Sequence, residues 1–269
     1  YLGRTIDLRV SSLPTLHGEK IVVRLLNISR ERPSLEVLGY EADDQARLLA
    51  AIARPHGMVL MTGPTGSGKT LSLYSCLELL NSPEVNISTV EDPSEIQLSG
   101  ANQVNINERA GVTFASTLRA LLRQDPDIIM IGEIRDSATA QLAIQAAQTG
   151  HLVLSTLHTR NARGALTRLK SLGLEQEALE SCLRSVSSQR LVRKICSQCL
   201  GRTIKDVSSC PACKGTGCCG RIGVHEVLGA THLFDPSLKH PSMYEAGLHY
   251  VKTGLIQEID LQTEVGTWQ

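Results

Sequence analysis

The 269-residue sequence is poor in aromatics, has no surplus of either charge and contains no long apolar run. Aromatic residues make up 3% of the chain, which argues against a series of stacking platforms for nucleic acid. Lys and Arg together number 27, as do Asp and Glu, so the whole chain carries no electrostatic footprint for DNA, RNA or an anionic membrane; only a local basic patch stays open. No apolar stretch reaches the roughly 20 residues that span a bilayer, and no charge, apolar and small-residue series marks a signal peptide. The chain therefore reads as cytoplasmic, without direct membrane insertion. Internal repeats and low-complexity tracts are missing too. The chain opens on Tyr1 rather than Met, inside an alternating stretch, and reads as a fragment whose upstream part has been cut away.

What is present is an ordinary 42% apolar content and enough length for one large domain and a small one. Residues 5–10 alternate strictly and 19–26 are nearly all apolar around Arg24, which predicts the last hairpin of a preceding β-rich domain. A helical pattern in "YEADDQARLLAAIARP" is stopped by Pro55. Strands over 57–62, 86–91, 127–132 and 151–156 then alternate with helices over about 68–81, 113–124, 137–149 and 161–172. Such alternation predicts an α/β fold with a mostly parallel sheet. The expected division is 1–32 for the hairpin, 33–194 for the core, 195–220 for a cysteine-rich module and 221–269 for a short helical tail.

The segment Gly63-Pro64-Thr65-Gly66-Ser67-Gly68-Lys69-Thr70 follows an apolar strand and precedes an amphipathic helix. That context completes the G-x4-G-K-[ST] pattern. The glycines let backbone N–H groups and the helix N-terminus face phosphate oxygens, Lys69 reaches the β and γ phosphates, and the Thr70 hydroxyl serves magnesium. A glycine-rich turn alone would not explain Lys69 and Thr70 together. The strand "DIIMI" ends in Gly132-Glu133, where many nucleotide-driven motors carry Asp-Glu. Glu133 thus becomes the first candidate to hold magnesium or to polarise water, at the carboxyl edge of the sheet. Glu91, Asp92 and Glu95 close the preceding strand and are expected at the same edge; for Glu91 a turn or cap role before Pro93 is the competing reading.

Four of the eight cysteines form the pairs Cys196-x2-Cys199 and Cys210-x2-Cys213, ten residues apart, a spacing that favours zinc over disulfides. A closed shell of four thiolates leaves no open coordination position, so its role would be structural. Cys218 and Cys219 leave open which thiols bind the metal. Cys76 and Cys182 lie on predicted helices as buried apolar residues.

"GPTGSGKT", "TVEDPSE", "LRALLRQDPDIIMIGEIRD" and "TGHLVLSTLHT" resemble the Walker A, Asp box, Walker B and His box of the secretion ATPase superfamily, which powers type II secretion, type IV pili and related machines. The tetracysteine segment narrows the likeness to the type II secretion and pilus-assembly ATPases. The resemblance implies a RecA-like P-loop core behind a PAS-like domain, and it explains Gly132, because the family has glycine before its Walker B Glu. It implies ATP, Mg2+ and Zn2+ as cofactors, water activation by Glu91, and contact of Glu133 with magnesium and the γ phosphate. His158 matches the His-box histidine, a γ-phosphate sensor, whereas His151 is expected to be structural. Arg9, Arg24, Arg119 and Arg123 match arginines that converge on phosphate; read by themselves, Arg119 and Arg123 share one face of a predicted helix and could equally be solvated. The implied partners are a homo-oligomer, in the family a hexamer, an inner-membrane platform protein and a membrane-recruiting adaptor. Localisation would be cytoplasmic, peripheral to the inner membrane. Two other readings stand beside the pilin- or pseudopilin-assembling motor: a RecA-like nucleic-acid translocase and a catalytically silent nucleotide-binding scaffold. "MYEAGLHYVKTGLIQEI" resembles the family's terminal helix, reached here by a shortened tail.

Overall fold

The computed structural model describes residues 7–26, 33–201 and 210–266. The expected boundary near residue 32 and the stretch between the two cysteine pairs fall outside them. Strands β1 (Asp7–Thr15) and β2 (Gly18–Leu26) form a separate antiparallel hairpin. Its Leu8, Val10, Ile21 and Val22 are exposed although apolar.

Seven further strands make one sheet: β3 (Gly57–Thr62), β4 (Ile87–Glu91), β5 (Asn102–Asn105), β6 (Ile128–Ile131), β7 (Leu152–Leu157), β8 (Leu183–Ile195) and β9 (Cys218–Gly229). Their order is β5-β4-β6-β7-β3-β8-β9, and every neighbouring pair is parallel except β8 and β9. The α/β architecture with a mostly parallel sheet is as the alternation predicts. Strands β3 and β6 read as nearly unbroken apolar runs because both faces are buried. Met58, Leu60, Ile129, Ile131 and Val153 face one core with Leu118, Ala143 and Leu169. Val59, Met61, Ile128, Met130 and Leu154 face the other with Leu48, Leu73 and Leu77. Each such fully buried side chain contributes about 1.5–3 kcal/mol.

The first core is covered by α4 (Phe114–Leu121), α5 (Ser137–Gln148), α6 (Gly164–Ser171) and α7 (Gln176–Cys182), the second by α1 (Leu35–Leu38), α2 (Ala42–Ile52) and α3 (Lys69–Leu80). Local chemistry sets their starts. The Asp136 carboxylate caps α5 by accepting from the Thr139 amide, and Thr113 with Ser116 forms a capping box on α4. The latter helix is shorter than expected. It ends at Leu121, before the left-handed Asp125 and Pro126, so Arg119 lies in its last turn and Arg123 beyond it.

Past α8 (Ala230–Phe234), the tail that reads as one terminal helix is two, α9 (Met243–Lys252) and α10 (Glu258–Val265), separated by a turn with Gly254 at φ 71°. They pack on the distal half of β8 and β9 through Val192, Val224, Met243, Ile256 and Leu261. A Cβ on Gly247 would sit 2.3 Å from a Leu261 methyl, so a larger residue there would have to displace the Leu261 side chain. Arg193 donates to the buried Asp260 carboxylate from Nη2 at 2.6 Å and from Nε at 3.1 Å. Residue 220, an expected module boundary, lies within β9.

Candidate nucleotide site and cysteine centre

Because β3, β4, β6 and β7 are mutually parallel, their carboxyl ends share one edge of the sheet. The loop leaving β3 has Gly63, Gly66 and Gly68 at φ 144°, 78° and 92°, and α3 starts immediately after. Steric demand comes from β8. A Cβ on Gly63 would lie 2.5 Å from the Gln189 carbonyl oxygen, and one on Gly68 would lie 2.9 Å from Gln189 Nε2. Gln189 itself pins the loop, donating to the Ser67 carbonyl at 2.6 Å and accepting from Ser72 Oγ at 2.9 Å. Lys69 Nζ donates to the carbonyls of Gly63 and Pro64 at 2.8 and 3.0 Å, which holds the ammonium over the loop. Burial pushes its pKa down to about 8. Thr70 is half-buried in the first helical turn.

Glu133 follows β6 and meets Arg135, whose Nη2 donates to Oε1 at 2.5 Å, and His158, whose Nε2 lies 3.7 Å from Oε2. The Arg135 hydrogen bond holds the Glu133 carboxyl below the usual carboxylate range against the opposing effect of burial. His158 is itself held below its ordinary value, first by burial and then by the Lys69 charge. Lys69, Glu133, Arg135 and His158 therefore form one electrostatic cluster above the loop. Gly132 has a local reason as well: a Cβ there would press on the Val90 carbonyl at 3.3 Å and on Glu91 Cα at 3.4 Å.

The acidic stretch after β4 does not act as a unit. Glu91 turns inward and is 4% exposed, Asp92 lies 3.4 Å from Arg135 Nη1, and Glu95 is exposed. The Glu91 carboxylate accepts from Tyr74 Oη, Thr89 Oγ1 and Gln103 Nε2. Arg24, Arg119 and Arg123 are exposed, and none is tied to the loop or the carboxylates by a hydrogen bond or ion pair among the described residues. Arg9 pairs in register with Arg24 in the hairpin, and its side chain is outside the described set. His151 is structural as expected, with Nδ1 2.9 Å from the Ala146 carbonyl oxygen. Arg135, Tyr74, Gln103 and Gln189 escape the motif reading. Only Arg135 carries a sequence signal, two residues from Glu133 in extended chain and so on the same side.

At the far end of β8, Cys196, Cys199, Cys210 and Cys213 bring their sulfurs within 4.8 Å of one another. The two knuckles repeat one geometry. Leu200 and Lys214 are left-handed, at φ 53° and 51°, each is followed by a left-handed glycine, and their amides donate to the Cys196 and Cys210 carbonyls at 2.8 Å. Cys196 and Cys210 Sγ lie 3.9 Å apart, Cys199 and Cys213 Sγ 3.6 Å, against about 3.8 Å for the edge of a tetrahedron with Zn–S bonds of about 2.3 Å. The set fits a tetrahedral metal shell. Cys218 and Cys219 are not part of it, and Cys76 and Cys182 are buried in helices, where loss of solvent pushes their thiols up to about 12 and about 11.

A glycine loop pinned between a central strand and a helix, with lysine, carboxylate and histidine gathered at the carboxyl edge of a parallel sheet, defines a P-loop nucleotide-binding protein. A family model described as "Type II/IV secretion system protein" matches residues 2–253, and the chain belongs to that family. It is 49% identical to the type IV pilus assembly ATPase PilB of Acinetobacter baylyi over 252 residues, 85% of this chain and 43% of that protein. It is 53% identical to the type II secretion system protein HxcR of Pseudomonas aeruginosa over 229 residues, 84% of this chain and 48% of that protein. The chain thus spans about half the length of the curated relatives it matches. Among solved structures, the pilus retraction motor PilT with bound ADP superposes with a TM-score of 0.72 at 28% identity, over 95% of this chain and 77% of that one. The Legionella pneumophila ATPase DotB shares the fold, with a TM-score of 0.71 at 22% identity, over 96% of this chain and 72% of that one.

Proposed function

We propose that the chain is the nucleotide-hydrolysing part of a motor subunit that drives assembly of pilin or pseudopilin subunits in type II secretion or type IV pilus biogenesis. The observation that carries this reading is the cluster of Lys69, Glu133 and His158 over a loop whose shape is already fixed by β8. The backbone amides of Gly63 to Thr70 and the Lys69 ammonium bind the β and γ phosphates. The Thr70 hydroxyl and the ionised Glu133 suit Mg2+, which neutralises charge on the transferred phosphoryl group. Glu91 takes the proton of the attacking water, and His158 reads the γ phosphate. Arg9, Arg24, Arg119 and Arg123 supply guanidinium charge when the hairpin closes or a neighbouring subunit approaches; the exposed Arg24, Arg119 and Arg123 make no other ion pair among the described residues, which supports that role. Zinc on the four cysteines braces β8 and β9 and does no chemistry.

The working form is a homo-oligomer, a hexamer by family likeness, that acts on an inner-membrane platform protein and is bound by a membrane-recruiting adaptor. Among the described residues no helix is long and apolar enough to cross a membrane, which suits a cytoplasmic subunit peripheral to the inner membrane. Balanced charge gives no reason to include nucleic acid among its partners.

The test is magnesium-dependent ATP hydrolysis by the protein and its Glu133→Gln variant over a range of protein concentrations. Turnover that rises with concentration and falls by about 100-fold or more in the variant supports the motor. ATP binding without turnover at any concentration would leave a scaffold instead.

A further inference from the structure

The Glu91 carboxylate is braced by Thr89 of its own motif and by two side chains that lie outside every motif, Tyr74 and Gln103. Tyr74, fully buried on α3, places its hydroxyl 2.8 Å from both Oε1 and Oε2. The same hydroxyl accepts from Gln103 Nε2 at 2.8 Å, and Gln103 is anchored by its bond to the Ile96 carbonyl at 2.9 Å. Thr89 Oγ1 donates to Oε1 at 2.8 Å, and Gln103 Nε2 also reaches Oε1, at 3.2 Å. Thr89 and Gln103 fill the two acceptor positions of Oε1, and the single Tyr74 proton is left to one of the two on Oε2. An ionised carboxylate has about four acceptor positions, so the free lone pair belongs to Oε2.

We infer that Tyr74, braced by Gln103, is a positioning residue that fixes Glu91 so that Oε2 alone accepts the proton of the attacking water. The inference rests on the hydrolase reading above and deepens it. Tyr74 lies four residues after Thr70 on the same helix, so both occupy one face, separated by a rise of about 6 Å. The helix that opens on the phosphates thus also sets the position of the base. Proton acceptor and phosphate move as one body, whatever the hairpin or a neighbouring subunit does. In the step itself the water oxygen bonds to the γ phosphorus while its proton passes to Oε2. The bridging bond to the γ phosphorus breaks, and its electron pair stays on the ADP oxygen.

A double-mutant cycle with separate kcat and KM measurements tests this. Tyr74→Phe removes one oxygen and keeps the ring in the core. Its kcat is expected to fall about 10-fold with KM for ATP and affinity for ADP within about 2-fold of the parent, because the hydroxyl acts on the base and not on nucleotide. Glu91→Gln is expected to lose about 100-fold or more, and adding Tyr74→Phe to it should change kcat by less than about 2-fold. A merely structural tyrosine would lower kcat by the same factor in both backgrounds, and that result overturns the inference. So does an unchanged kcat in Tyr74→Phe. Should Tyr74→Phe lose its fold by circular dichroism, Gln103→Met removes the brace instead and must pass the same cycle, failure again overturning the inference. A parent with full turnover in Glu91→Gln refutes the role of Glu91 while sparing the hydrolase reading. A parent with no turnover at all refutes both.

Discussion

The phosphate loop and the cysteine centre are both cradles of backbone amides around a charge of one sign, yet they are held in shape by opposite means. The loop sits on β3, buried on both faces, and Gln189 of β8 ties down Ser67 and Ser72. Its curvature is held by contacts within the protein itself. The cysteine knuckles have no comparable interior: among their thiols only Cys196 and Cys213 are buried, and the four sulfurs would repel one another as thiolates. Burial pushes the Cys213 thiol up, and hydrogen bonds from Cys210 and from the Gly217 amide outweigh it and hold the thiol below its ordinary value. The core shapes the first cradle. On the proposed reading, bound zinc shapes the second.

The largest effect that would sharpen this contrast is removal of a ligand. Cys213→Ser, or a strong chelator, takes away about 10 kcal/mol or more of metal binding that in such modules is folding free energy. Bound zinc should drop from one per chain to none, and hydrogen exchange should accelerate over the described knuckle residues 195–201 and 210–218. Nucleotide affinity should stay within about 3-fold, since Gln189 and the loop belong to the other core. A comparable loss of ATP binding would break the contrast and make the module part of the nucleotide machinery.

A second, smaller effect locates where dependence on metal ends. β9 runs from the knuckles into the core, and there His225 is buried, stacked on Tyr40 at 3.6 Å between ring centroids, with Nε2 3.2 Å from the Leu38 carbonyl oxygen. Burial pushes its pKa down to about 4. A depressed imidazole gives stability that is complete above the unfolded value near 6.5 and is lost as pH falls towards 4, up to about 3 kcal/mol. Chemical denaturation at pH 7 and pH 4.5 in the Cys213→Ser background should show that loss, and His225→Phe should flatten it at the cost of the Leu38 hydrogen bond. An acid response that survives the substitution would move the sensitive group elsewhere.

Legibility in the sequence follows the same division. Strands 57–62 and 128–131 announce themselves because burial on both faces demands apolar runs, and the loop announces itself because three left-handed positions demand glycine. β8 is the counterexample, a central strand written as "SVSSQR" with Ser185, Ser187, Ser188 and Gln189 buried. Three of these side chains find partners inside, Ser185 donating to the Leu228 carbonyl, Ser187 meeting Tyr40 Oη and Gln189 serving the loop, while Ser188 Oγ has no hydrogen-bond partner among the described residues. Partners of that kind lie 40 to 150 residues away and leave no local pattern. The orientation of Glu91 is likewise not written locally: its spacing places it at the sheet edge, and Tyr74 and Gln103, on other elements, hold its carboxylate inward. The cysteine spacing identifies the four ligands but does not exclude Cys218 and Cys219, which takes the fold of the second knuckle.

The subtlest difference between the cradles concerns which of their own groups changes charge near neutrality. In the phosphate loop that group is Lys69, with its ammonium bound only to two carbonyls and its pKa near 8. Desolvation favours the neutral amine, so the charge that attracts phosphate is complete well below pH 8 and is lost as pH rises through it. A bound phosphate favours the ammonium, and by linkage the affinity must then fall with pH, at a limit of about 10-fold per unit once pH exceeds the free-protein value. Calorimetric titration with ADP between pH 6.5 and 9.5 should give a flat region followed by that slope, with proton uptake on binding at the alkaline end. Lys69→Arg, whose guanidinium does not titrate there, should remain flat across the range even if its affinity is lower throughout. A parent as flat as the arginine variant would mean that the loop keeps its lysine charged without a ligand, and the pre-shaped cradle would then be preset in charge as well as in geometry.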